Sequence, residues 1–285
     1  MTNVSHSQDT TSHPFIIWTM QRTGGTNLAK RLFQRSSLID YEKLKTHSGQ
    51  AETLLKNIDS QWRLHEPFNM GDDTRVFSKI TEAWAVSRNS GDLETALQEI
   101  CSLNLPLKHC VEMVPWEISE ALAKISTIHN YKHVFLYRKQ PIKRLLSLQY
   151  AKLSGVWGAH FRGSAELDEK IFSEPLPIQD LVHHENHCNQ RLLQAWNFLQ
   201  TLDASPIAIA FEDIYEEPNK STAKDFVISL LHDLQLLKGV DSDRKFASDL
   251  IDYGEQKTQH EYSKFKGIHE LTSSLESIDK LSFKT

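Results

Sequence analysis

A short apolar run that ends in a glycine-rich turn and passes straight into an amphipathic segment leaves a chain few ways to fold. Residues 15–36 have that form. Phe15-Ile16-Ile17-Trp18-Thr19-Met20 shows no polar alternation, as expected of a strand covered on both faces within a parallel sheet. A helix is expected from about Gly25 to Arg35, with Leu28, Leu32 and Phe33 on one face. The connection is Gln21-Arg22-Thr23-Gly24-Gly25-Thr26-Asn27. Its two glycines let the backbone turn tightly and aim several amide N–H groups at one point, where the new helix adds the positive end of its dipole. A phosphate fits such a turn, with Arg22 supplying full charge and the hydroxyls of Thr23 and Thr26 donating hydrogen bonds. The competing reading is a plain turn in which Thr23 or Thr26 only caps the helix.

The rest of the chain repeats the alternation. Short apolar runs at Leu107–Val114, His133–Tyr137 and Ile207–Phe211 sit among helical patterns at about 93–103, 116–127, 141–154, 179–202 and 222–237. Strands alternating with helices predict an α/β fold, a central parallel sheet flanked by helices. No internal repeat and no Pro- or Gly-rich linker divides it. The expected organisation is a polar, disordered leader over 1–13, then a single α/β domain over 14–285 with helical insertions, with 155–178 a loop or lid. The formal net charge of −5 argues against a nucleic-acid partner or an anionic membrane surface, so any anion site is local. Cys101, Cys110 and Cys188 are odd in number and lack metal-type pairing, and are expected to be free thiols. No stretch has the length of a signal peptide's apolar region or of a membrane span, so a reducing, cytoplasmic setting is expected.

The turn lacks Gly-x-x-x-x-Gly-Lys-Ser/Thr, the ATP-type loop, and Gly-x-Gly-x-x-Gly, the dinucleotide fingerprint. The string FIIWTMQRTGGTNLAKRLF instead resembles the 5′-phosphosulfate-binding loop of sulfotransferases, whose fold is P-loop NTPase-like. That resemblance implies the donor PAPS (3′-phosphoadenosine 5′-phosphosulfate) and the product PAP. Arg22 would hold the bridging and 5′-phosphate oxygens, and Thr23, Gly24, Gly25, Thr26 and Asn27 would complete the cradle. A second segment, the strand HVFLY followed by Arg138-Lys139-Gln140-Pro141 and a helix carrying Arg144 and Ser147, resembles the family's 3′-phosphate motif. There an Arg is followed by Asn/Asp-Pro and, eight residues after the Arg, by a helical Ser. Counting back from Ser147 places Lys139 at the Arg position and Gln140 at the Asn position, with Arg138 one residue earlier. Lysine meets a phosphate as a point charge without arginine's bidentate fork, so the division of work between Arg138 and Lys139 stays open. A cation at a helix start also calls for an anion to compensate it. A third segment, IAIAFEDIYEEP, resembles the family's strand before an acidic turn, where Glu212 and Asp213 would either position the loops or cap structure.

Sulfuryl transfer to a hydroxyl needs a proton acceptor. Leu64-His65-Glu66-Pro67 supplies two candidates. Glu66 matches the Glu-Pro after the first helix of bacterial sulfotransferases, and His65 titrates nearer neutrality without tuning. A surface turn is the third reading of that segment. His183 and His187 share a helix face at metal-ligand spacing, but the implied chemistry needs no metal, and none is assigned. Lys257, Lys264 and Lys266 lie where the family's C-terminal segment covers the 3′-phosphate, without its Gly-rich pattern. The expected function is therefore sulfuryl transfer from PAPS to a hydroxyl of a small-molecule or carbohydrate acceptor. The alternatives are a nucleotide-dependent, kinase-like phosphotransferase and a non-catalytic nucleotide-binding protein. Neither the acceptor nor the oligomeric state is encoded in a readable motif, a homodimer being one arrangement open to the chain.

Overall fold

The computed structural model describes residues 13–36, 66–70, 77–155, 157, 169–252, 262–278 and 280–283. Among the described residues, four strands form one parallel sheet: β1 (Phe15–Thr19), β2 (Leu107–Cys110), β3 (Lys132–Tyr137) and β4 (Ile207–Ala210), in the spatial order β2-β1-β3-β4. Ile17 pairs with Lys108 on one side and Val134 on the other, which sets the register of the central three strands. Every residue of β1 is buried, as its unbroken apolar run requires. The second strand is shorter than its apolar run, because residues 111–114 leave the ladder in a turn in which Val111 N–H still bonds to Thr19 O at 3.1 Å.

Two sets of helices cover the sheet. On one face lies α1 (Gly25–Ser36), where Phe33 meets Phe15 with ring centroids 5.9 Å apart. On the other lie α4 (Trp116–Ile128) and α6 (Ile178–Thr201); α2 (Ser78–Ser87) and α3 (Ser90–Ser102) precede α4 in the chain, and α5 (Ile142–Ser154) comes between α4 and α6. Trp18 stacks on Phe135 at 5.9 Å, and Phe135 meets Trp196 of α6 edge-on at 5.2 Å. The chain continues through α7 (Phe211–Tyr215), α8 (Lys220–Asp233), α9 (Val240–Asp252) and α10 (Ile268–Glu276). Phe211 was expected to end the fourth strand; it opens the short helix α7 instead, which carries its ring back under Gly24. Arg35, at the end of α1, docks the α8–α9 connection by donating to Leu236 O at 3.0 Å and pairing with Asp243.

The second half of the expected 155–178 loop is built into the structure. Phe172 and Leu176 join Leu145, Tyr150, Leu181, Tyr262, Phe265 and Leu271 in a separate small core between α5, α6 and α10. Residues 1–12 of the leader expected over 1–13, and most of the 155–168 stretch, fall outside the described residues. Cys101, Cys110 and Cys188 are free and buried. Among the described residues, no helix is long and apolar enough to cross a membrane.

Two histidines sit inside the sheet's aromatic layer. Trp18 Nε1–H donates to His133 Nδ1 at 3.2 Å, and His109 Nε2 lies 3.0 Å from Ser119 Oγ. Burial pushes both imidazoles down to about 3, with Arg191 a further influence on His109. In the unfolded chain each binds a proton near pH 6.5, so the unfolded state holds more protons between there and about pH 3. Stability is thus full above pH 6.5 and falls on acidification by roughly 1.4 kcal/mol per pH unit per histidine. Urea unfolding at pH 7, 6 and 5 should show this slope, and His133→Gln should remove about half of it; a flat profile over that range contradicts the buried, neutral assignment.

Candidate functional site

In an open parallel sheet, ligands bind beyond the carboxyl ends of the strands, where the connections depart in opposite directions. That point lies between β1 and β3, because the chain leaves β1 toward β2 and leaves β3 toward β4. Both segments singled out in the sequence follow these two strands, and they meet there.

The turn after β1 is tightly built. Arg22 has φ +64° and Gly24 φ +89°. A left-handed conformation costs a non-glycine residue roughly 1–2 kcal/mol, so Arg22 is held in place by its surroundings. Gly24 must lack a side chain, since a Cβ there would stand 2.5 Å from the Phe211 ring. At Gly25 a Cβ would meet Lys108 Cε at 2.7 Å and Thr19 Cγ2 at 3.1 Å. Thr23 is buried and its hydroxyl donates to Met20 O at 2.8 Å, bracing the turn from within, whereas Thr26 is exposed. Asn27 N–H bonds to Gly24 O at 3.2 Å, which starts the helix. The first amides of α1, at Gly25 and Thr26, have no partner inside the helix and point outward from its N-terminus.

The Arg22 guanidinium reaches across to α5, where Nε donates to Ser147 Oγ at 2.9 Å, while Nη1 donates to Trp157 O at 2.6 Å. Arg22 and Ser147, 125 residues apart in the chain, are thereby brought together. Arg138 lies next to this region, buried, with its guanidinium 3.3 Å from the Phe211 ring centroid and Nη1 3.4 Å from Glu216 Oε1. Burial and its carboxylate neighbours oppose one another there, and the net effect lowers its pKa from the ordinary arginine value. Among the described residues, Arg138 Nε has no hydrogen-bond partner.

Lys139 turns the other way. Its ammonium pairs with Asp213, and its backbone N–H donates to Glu212 Oε2 at 3.0 Å, with Gln140 N–H on Glu212 Oε1 at 3.2 Å. Lys143 completes the group with Glu216 at 2.9 Å. The anions that a cationic helix start demands are thus present within the chain: Asp213 and Glu216 pair with its lysines, and Glu212 accepts from the two amides that lead into α5. Arg22 thus reaches Ser147 and Arg138 lies over Phe211 beneath the turn, whereas Lys139 turns to Asp213.

Glu66 sits at the edge of the sheet. Its N–H donates to Lys108 O at 3.0 Å, and it too has a left-handed backbone, with φ +58°. Its carboxylate pairs with the buried Lys108 ammonium and accepts from Asn69 Nδ2 at 2.9 Å and from Cys110 Sγ at 3.2 Å. Burial works against the charge of Lys108, but Cys110 and Glu66 together outweigh it and raise its pKa. Burial and the adjacent Glu66 likewise push the Cys110 thiol well up. Because Lys108 Cε also lies beneath Gly25, this cluster adjoins the turn. His65 lies outside the described residues.

Three charged groups here were not singled out in the sequence: Lys108, Glu112 and Glu185. The signal for the first two was a lone charge inside an apolar run, LPLKHCVEMV, which periodicity alone does not assign a partner. His183 and His187 are exposed on α6, and the described residues hold no cluster of three or more side chains suited to a metal. Lys266 donates to Ser173 O at 2.7 Å and Lys264 lies over Phe172, so both serve the small core; Lys257 is outside the described residues. No family model matches this chain, and no curated protein matches it significantly.

Proposed function

We propose that the chain is a PAPS-dependent sulfotransferase of the P-loop-like kind, moving a sulfuryl group to an acceptor hydroxyl and releasing PAP. The observation that carries this reading is the hydrogen bond from Arg22 Nε to Ser147 Oγ at 2.9 Å. It draws the two segments that resemble phosphate-binding motifs into one place, at the switch point of a parallel sheet. In this reading the turn at Gly24-Gly25-Thr26 receives the 5′-phosphosulfate, and Ser147 with Arg138 receives the 3′-phosphate. Arg22 stabilises the charge that grows on the departing phosphate oxygen as the sulfur–oxygen bond breaks. The acceptor oxygen attacks sulfur in line, and its proton passes to Glu66, which Lys108 and Asn69 hold in a fixed orientation.

The test combines binding and turnover. PAP is expected to raise the melting temperature without magnesium. Labelled PAPS incubated with the protein and a metabolite extract should yield a sulfated product by mass spectrometry. Glu66→Gln should abolish turnover while keeping PAP binding. Because that change also deprives Lys108 of its carboxylate, Glu66→Gln/Lys108→Met serves as a control in which stability recovers and turnover does not. Absence of any PAP-induced shift sinks the proposal, and magnesium-dependent ATP binding in its place would favour a phosphotransferase.

A further inference from the structure

Gln21, the residue before Arg22, is gripped through both of its flanking peptides. Gln21 N–H donates to Glu112 Oε1, from the turn after β2, and Gln21 C=O accepts from Arg144 Nη1 of α5 at 3.1 Å. Arg144 is completely buried and its Nη2 pairs with Glu185 of α6, itself 2% exposed. The turn after β2 and helix α5 after β3 thus converge on Gln21, with α6 bracing the second of them. This is more than general docking, because the C=O of Gln21 belongs to the same peptide plane as the N–H of Arg22. Fixing that oxygen fixes the plane about which the φ of Arg22 is measured, and φ there is +64°. The left-handed turn in its place directs the arginine side chain toward Ser147.

We propose that Glu112 and Arg144, the latter backed by Glu185, form a positioning network that fixes the peptides on either side of Gln21 and thereby aims the Arg22 guanidinium. Its effect on turnover rests on the sulfotransferase reading; its effect on the turn does not. Glu112 holds the turn through its Oε1, an oxygen that glutamine retains and leucine lacks. Arg144 variants remove a buried charge and are therefore poor tests on their own, so the comparison is Glu112→Leu against Glu112→Gln.

The first readout is hydrogen exchange of the intact protein without ligand. Glu112→Leu is expected to speed exchange in peptides covering 19–25 by about tenfold or more, as loss of a hydrogen bond to a charged acceptor implies. Peptides from α8 should be unchanged, and Glu112→Gln should stay close to the parent. The second readout is the division between kcat and KM. Glu112→Leu should lower kcat by about 10- to 100-fold with acceptor KM within about twofold, because a misplacement near 1 Å acts on the transition state. Glu112→Gln should restore kcat to within about threefold of the parent. Unchanged exchange at 19–25, acceleration spread over the whole chain, or unchanged kcat in Glu112→Leu would each overturn the proposal. If the parent protein neither binds PAP nor turns over, the functional reading falls by itself and the exchange comparison alone decides whether the network holds the turn.

Discussion

Arg144→Leu is expected to lower folding stability by about 3–5 kcal/mol, the usual consequence of stripping one partner from a buried ion pair. Neither side chain has water to fall back on, since Arg144 is 0% and Glu185 2% exposed. The substitution leaves the Glu185 carboxylate buried among α5 and α6, and also removes the donor to Gln21 O. Burial opposes the arginine's charge, and Glu185, the next largest influence, together with Cys188 and Glu112 outweighs it and raises the Arg144 pKa. The pair is therefore held by mutual dependence more than by net gain. A double replacement, Arg144→Leu/Glu185→Leu, should recover a large part of the loss, because desolvating two charges roughly offsets their attraction. Equilibrium unfolding in urea measures both. A single variant within about 1 kcal/mol of the parent would mean that water reaches the pair in solution.

Arg22→Gln is expected to reduce kcat by about 100- to 1,000-fold, the range seen when one preorganised donor to developing negative charge is lost. The reasoning is geometric. The guanidinium already bonds to Ser147 Oγ and Trp157 O through different nitrogens, so its position is set before any ligand arrives. Glutamine keeps a donor but neither the charge nor the reach. Arg22→Lys should fall between the two, since an ammonium retains charge without the fork. PAP should still shift the melting temperature of both variants, by less than in the parent, because the turn's amides and Arg138 remain. Parent-like turnover in Arg22→Gln would remove Arg22 from the chemistry and leave it a role in binding alone.

The sulfotransferase reading remains a proposal carried by local geometry. The turn at 21–27 was legible because a buried strand, paired glycines and an amphipathic helix leave one compact solution, and each of those signals lies within about one helical length of the next. Ser147 was picked out only by the resemblance of its segment to a 3′-phosphate motif, and the structure places its hydroxyl beside Arg22. The role of Lys139 was not legible. Its partner, Asp213, lies 74 residues away on a helix that the sequence pattern read as a strand end and an acidic turn. Its nearness to the 3′-phosphate motif in sequence therefore said nothing about which way its side chain points. The short helices α2, α9 and α10 were likewise missed, because their apolar faces are narrow and are covered by contacts with distant elements.

By itself the sequence determined what depends on neighbours along the chain: the parallel strands, the glycine turn, the helices that follow them and the free, buried cysteines. Hydrophobic periodicity and backbone sterics act over a few residues, and a reader of the chain has all of those residues in view. Only the tertiary structure decided where each charge finds its partner. Glu66 with Lys108, Arg144 with Glu185 and Glu112 with the Gln21 N–H are separated by 42, 41 and 91 residues. Such pairs form because a buried charge must find a partner wherever the fold places one. Pairing at that range is a property of how the strands are ordered, which is why Arg22 reaches Ser147 and Lys139 does not.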